Sequence, residues 1–145
     1  MSETAAAVAK VREQASAAGR SLDFYTVGLV VCRPTRKEAE DYFQYAIVDN
    51  ADLTAMDSMM KRRNVDSRAV GIEDYEEKRR TAAINMAGLP IVGDPDFVAA
   101  QLAGYSEAGL TGVATSLVNF LDDAPFFCQE VLPRLERMGL REARR

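Results

Sequence analysis

The chain has 145 residues, 48% hydrophobic and 28% charged, a globular composition with enough apolar material for one domain core. It contains no histidine and only two cysteines, Cys32 and Cys128, far apart in sequence, which excludes the usual zinc constellations and the Ser-His and Cys-His nucleophile systems. A net charge of −4 argues against a nucleic-acid footprint of clustered Lys and Arg, and no window approaches the roughly 18 unbroken apolar residues of a membrane span.

The Ala-rich start carries Glu3, Lys10, Arg12 and Glu13 in place of a secretory h-region, so the cytoplasm is the expected compartment. Thr4 to Ala18 reads as a helix with Val8, Val11 and Ala15 on one stripe and Gly19 as its stop. Leu22 to Cys32 is β-branched, aromatic and almost continuously apolar towards its end, the pattern of a strand covered on both faces. Arg33-Pro34 ends it, and Thr35 with Glu38 forms a capping box for a helix from Arg36 to about Asn50.

Residues 51–87 are rich in helix formers, with a polar break at Asn64–Arg68 and a second helix from about Asp74 to Met86, and read as a helical insertion. Leu89–Val92 is a short strand ended by Gly93-Asp94-Pro95, where Asp94 can cap a helix and Pro95 can be its first residue. Phe97, Val98, Gln101, Leu102 and Tyr105 give that helix an apolar stripe ending at Gly109. Gly112–Val118 is the next strand. After a loop, a last helix runs from about Ala124 to Met138, kinked at Pro133.

Strands alternating with helices predict an α/β fold with a parallel sheet. The first helix precedes any strand, so the chain is expected to begin in the middle of a βα unit.

The tail carries a resemblance. Val92-Gly93-Asp94-Pro95-Asp96, Glu107-Ala108-Gly109, Gly112-Val113 and Glu130-Val131-Leu132-Pro133-Arg134-Leu135 together resemble the end of the bacterial-luciferase-like flavin monooxygenases. The resemblance covers Leu89–Arg141 well, and Phe24–Asn50 more loosely through Arg33-Pro34-Thr35-Arg36-Lys37-Glu38-Ala39. It implies a single partial (β/α)8 TIM-type barrel over residues 1–145, holding strands six, seven and eight, with the insertion after the sixth. A complete barrel takes roughly 250 residues. It further implies reduced FMN as cofactor, dioxygen, a small organic substrate and a flavin reductase as candidate partner.

In such a barrel the chemistry sits on loops after the strands, here Arg33–Thr35, Gly93–Asp94 and Asn119–Asp123. Gly93 and Asp94 could approach a flavin through free amides at a helix start, and Asn119 could hydrogen-bond a ligand carbonyl; the plainer readings are a turn with its N-cap and a turn residue. The resemblance makes Arg79 and Arg80, on the insertion, candidates for holding an anionic substrate, against the plainer reading of a solvated helix face that also suits Lys61-Arg62-Arg63. Asp122 and Asp123 read as a helix N-terminus, and both cysteines as buried small hydrophobes. Two functions follow: a fragment of an FMN-dependent monooxygenase, or a non-catalytic half-barrel acting through protein pairing. Open strand edges predict a homodimer for either.

Overall fold

The computed structural model describes residues 2–62, 72–86 and 88–142. Its elements are α1 (Ser2–Ala17), β1 (Tyr25–Cys32), α2 (Arg36–Phe43) continued by a π-helical stretch Gln44–Asp49, and α3 (Leu53–Arg62). There follow α4 (Ile72–Ile84), β2 (Leu89–Gly93), α5 (Pro95–Glu107), β3 (Gly112–Leu117), α6 (Phe120–Phe126), a second π-helical stretch Phe127–Val131, and α7 (Leu132–Arg137). The local signals act as the side chains dictate. Thr35 Oγ1 accepts from the Glu38 amide while Glu38 reaches back to the Thr35 amide, completing the capping box. Gly19 and Gly109 close α1 and α5 with φ of 69° and 90°, where a side chain would be strained. The insertion is helical on both sides of the polar break Asn64–Arg68, which lies outside the described residues.

The three strands form one parallel sheet in the order β2-β1-β3. Partners in a parallel ladder share a face, so Gly28, Val30, Cys32, Ile91, Gly93, Val113 and Leu117 lie on one side. That side is the core: Val30, Cys32 and Ile91 pack with Val98, Ala99 and Tyr105 of α5 and with Phe127 and Val131. Each aliphatic side chain so enclosed contributes roughly 1.5–3 kcal/mol. On the other side Leu29 and Val31 are buried, whereas Tyr25 and Val27, nearer the strand's start, are 66% and 49% exposed. β1 is therefore covered on both faces only in its second half. At the strands' N-terminal end, Arg12 of α1 donates to the Gly109 carbonyl at 3.0 Å and lies over the Phe24 ring.

Several expectations are corrected. Three successive strands of a closed barrel lie side by side in chain order, yet here the first strand is central. β1 carries the most continuous apolar run, and the centre of a sheet is where both edges and both faces are satisfied. The last helical region starts at Phe120, not Ala124, because the Asn119 side chain caps it by accepting from the Leu121 amide. Pro133 lies just past the π-helical stretch, in the first turn of α7; the widened turn before it accommodates a ring that would otherwise crowd the carbonyl one turn back. Cys128 is exposed, and only Cys32 is buried. On α1, Val8 and Ala15 face inward but Val11 is 42% exposed.

Candidate functional site

Three N-caps gather at the C-terminal edge of the sheet. Thr35 follows β1, Asp94 follows β2 and Asn119 follows β3, each in extended backbone conformation. Arg33 extends the ladder by one bond, its amide donating to the Gly93 carbonyl at 3.2 Å.

The Arg33 side chain organises this edge. One terminal nitrogen donates to the Cys32 carbonyl at 2.8 Å, the other meets the Asp123 carboxylate at 2.9 Å, and the guanidinium stacks 4.0 Å from the centre of the Tyr42 ring. Asp123, only 5% exposed, also accepts from the Asn119 amide at 2.9 Å. One carboxylate thus ties the turn after β3 to the end of β1. Sequence reading treated Asp122 and Asp123 alike and missed this pair. The available signal was an arginine directly after a strand and an acid four residues past a capping Asn.

Burial, reinforced by the nearby Asp94 carboxylate, pushes the Cys32 thiol up to about 11, so it stays protonated at neutral pH. It is no nucleophile.

The positions singled out from sequence have definite local roles. A Cβ on Gly93 would stand 2.5 Å from the Phe97 ring, so glycine is required by that packing, and the Arg36 guanidinium lies over the same ring, 5.1 Å from its centre. Asp94 accepts from the Phe97 amide at 2.9 Å. Asn119 accepts from Leu121 and donates to Asp122. Gly93, Asp94 and Asn119 are therefore brought to one edge of the sheet, each engaged in starting a helix. Arg79 and Arg80 are on α4 in the insertion, whose contacts are with α3 and the first π-helical stretch. Arg79 is 17% exposed and held by Asp57 at 3.2 Å and Glu76 at 3.1 Å; the Asp57 hydrogen bond raises the guanidinium's proton affinity further. Tyr75 donates to the same Asp57 at 2.9 Å. Arg80 is 70% exposed beside Glu76.

Two open grooves adjoin this edge. One, of about 510 Å³, lies between the starts of α2 and α5 and the α6–α7 region, and its cations are paired: Arg134 to Asp96 at 2.6 Å and to Glu130 at 3.0 Å, Arg36 to Glu40 at 2.8 Å. The Arg134 hydrogen bond holds the Asp96 carboxyl below its usual range. The other, of about 450 Å³, is mostly apolar and runs along β3 between α5 and α6–α7. No metal-holding cluster occurs among the described residues.

A parallel βα array with its polar groups collected at the strands' C-terminal ends is a parallel α/β scaffold. The chain belongs to the luciferase-like monooxygenase family, whose profile matches residues 1–112. That match takes in α1 and the insertion and ends at the first residue of β3, whereas the resemblance in the sequence was heaviest beyond Leu89. The chain is 26% identical over 147 aligned positions to the sulfoquinovose monooxygenase of Agrobacterium fabrum, covering 90% of this chain and 38% of that one. The crystal structure of DmoA from Hyphomicrobium sulfonivorans superposes with a TM-score of 0.79 at 18% identity, over 99% of this chain and 37% of that one. The riboflavin lyase RcaE, solved with a modified FMN and riboflavin, gives 0.67 at 20% identity over 95% and 37%. The structural neighbours are TIM-barrel luciferase-like monooxygenases, so the chain has the fold of part of such a barrel. It spans a little over a third of the length of these relatives.

The sheet edge fits one part of a flavin better than another. At the three helix starts the Glu38, Phe97 and Leu121 amides are taken by their caps and Pro95 has none, so only the remaining amides and the polar caps themselves could meet ring carbonyls; a phosphate needs cations, and Arg33, Arg36 and Arg134 are each paired with a carboxylate.

Proposed function

We propose that this chain forms part of a cytoplasmic, FMN-dependent monooxygenase that oxidises a small organic substrate with dioxygen, reduced flavin being supplied by a flavin reductase. The observation that carries the reading is the family match across residues 1–112 of 145. Bound reduced flavin would supply the electrons for oxygen insertion, and the chain's own residues would orient and shield it. Gly93 and Asp94, at the turn into α5, and Asn119, at the start of α6, would border the flavin ring; Pro95, the first residue of α5, has no amide to donate, and the Phe97 and Leu121 amides are already taken by Asp94 and Asn119. Of the two arginines Arg80 is the exposed one and the better placed to meet an anionic substrate; Arg79, clasped by Asp57, would set the position of α4. The flavin phosphate is assigned to no residue here, since every arginine at this edge is paired.

The second reading, a non-catalytic assembly subunit working as a homodimer, is favoured by the open edges of the sheet. Titration of the full chain with reduced and oxidised FMN, followed by calorimetry and flavin fluorescence, separates the two. Saturable micromolar binding supports the enzyme reading. Failure to bind at millimolar flavin removes it for this chain and leaves the assembly reading.

A further inference from the structure

We propose that Arg33 and Asp123 are positioning residues for the flavin: they fix Asn119 and Gly93 relative to one another at the edge where the ring is to lie. The inference rests on the flavin reading given above and assigns the pair a task beyond stability.

Arg33 is joined to every strand of the sheet at its C-terminal edge. Its amide donates to the carbonyl of Gly93, which ends β2, and one terminal nitrogen donates to the carbonyl of Cys32, which ends β1. The other terminal nitrogen meets Asp123, in the first helical turn after β3. The Tyr42 ring of α2 holds the planar guanidinium from its face, 4.0 Å from the ring centre.

Asp123 spends its two oxygens on different partners. Oδ1 meets Arg33 at 2.9 Å, and Oδ2 accepts from the Asn119 amide at 2.9 Å. The Asp123 amide in turn donates to the Asn119 carbonyl at 2.8 Å. Both backbone polar groups of Asn119 are therefore held by one residue, and Arg33 anchors that residue to β1. Asn119 is exposed whereas Asp123 is buried, so the carboxylate acts on a ligand through Asn119 and not by contact. Gly93 is tied to the same arginine through the backbone, so the two residues that border the ring share one support.

Stability alone does not call for this arrangement. An ion pair withdrawn from water recovers little more than its own desolvation cost, and apolar residues of similar volume often serve as well or better. What the charges add is direction, because a carboxylate accepts at two oxygens and a guanidinium donates along fixed axes. Groups that bind a ligand must be held to within about 0.5 Å, and directed contacts behind them supply that precision.

Titration of the full chain with oxidised FMN, read by flavin fluorescence beside urea unfolding of the same samples, tests this. The double replacement Arg33→Met, Asp123→Leu removes the directed contacts without stranding a charge. Its urea midpoint should stay near that of the unchanged chain, its Asn119 amide should exchange faster, and its FMN dissociation constant should rise about tenfold or more. Arg33→Lys keeps a cation but cannot serve the Cys32 carbonyl, Asp123 and the Tyr42 ring together, so it should raise the constant about threefold at an unchanged midpoint. It carries the test if the double replacement does not fold. Wild-type affinity in the folded double replacement, or in Arg33→Lys where the double does not fold, overturns the positioning role and leaves the flavin reading standing. An unchanged chain that binds no FMN at millimolar concentration defeats the flavin reading and the proposal with it, so the two failures are told apart.

Discussion

The Arg33 guanidinium and the Asp123 carboxylate meet at 2.9 Å, joining the residue just past β1 to the first helical turn after β3. With Asp123 5% and Arg33 23% exposed, neither is well solvated, and removing one leaves the other charged and largely buried. Asp123→Ala is expected to cost about 3–5 kcal/mol in urea unfolding, and the double replacement Arg33→Met, Asp123→Leu much less. A single-variant cost below about 1 kcal/mol would show that the pair behaves as a surface contact.

The two cysteines should differ in reactivity and in pH response. Cys128 is exposed and should be alkylated by iodoacetamide in the native protein at pH 8, while Cys32 should not until the protein is unfolded. Burial first, and then Asp94, raises the Cys32 thiol from 9.0 to about 11 in the folded chain. A raised folded value favours the protonated form, so this contribution to stability is complete below pH 9 and is lost as pH rises towards 11. Denaturation midpoints at pH 8 and pH 10.5, compared with Cys32→Ala, read the effect; equal labelling of both thiols in the native protein would contradict it.

Gly93→Ala places a methyl carbon 2.5 Å from the Phe97 ring and 3.1 Å from Phe97 Cβ, the root of the side chain, so rotation of the ring alone cannot relieve the clash. Overpacking of this kind costs about 1–3 kcal/mol. Phe97→Leu in the same chain should recover part of it. The measurement is chemical denaturation of the two single variants and the double.

The helix caps distinguish structure from ligand binding. Asp94→Ala and Asn119→Ala should each lose about 1 kcal/mol of stability through an unsatisfied helix start. If these residues also hold flavin, the FMN dissociation constant should rise more than tenfold under conditions where both variants remain folded. Unchanged affinity would confine them to capping.

Arg79 and Arg80, adjacent in sequence, should separate. Arg79→Ala strands Asp57 beside Tyr75 and should destabilise the packing of α3 on α4, read as faster hydrogen exchange in both helices. Arg80→Ala should leave stability within about 0.5 kcal/mol and act only on the affinity for an anionic substrate.

What could be read from the chain alone was what depends on near neighbours in sequence. The capping box at Thr35 and Glu38, the Asp94-Pro95 helix start, the glycine stops at Gly19 and Gly109, and the alternation of strands with helices all arise within one or two turns of backbone. The family resemblance was legible for the same reason, as short motifs at strand and helix ends. Tertiary structure decided the rest. That β1 lies between β2 and β3 depends on which strands reach its two edges, a long-range pairing that its apolar run favours but does not specify. Of two adjacent acids, Asp123 is buried because it faces the arginine that ends a distant strand, while Asp122 is left at the surface; of two cysteines, only the one on the central strand is enclosed. Side-chain burial is settled by the partner that arrives across the fold, and at Arg33, Asp123 and Cys32 that partner comes from another segment of the chain.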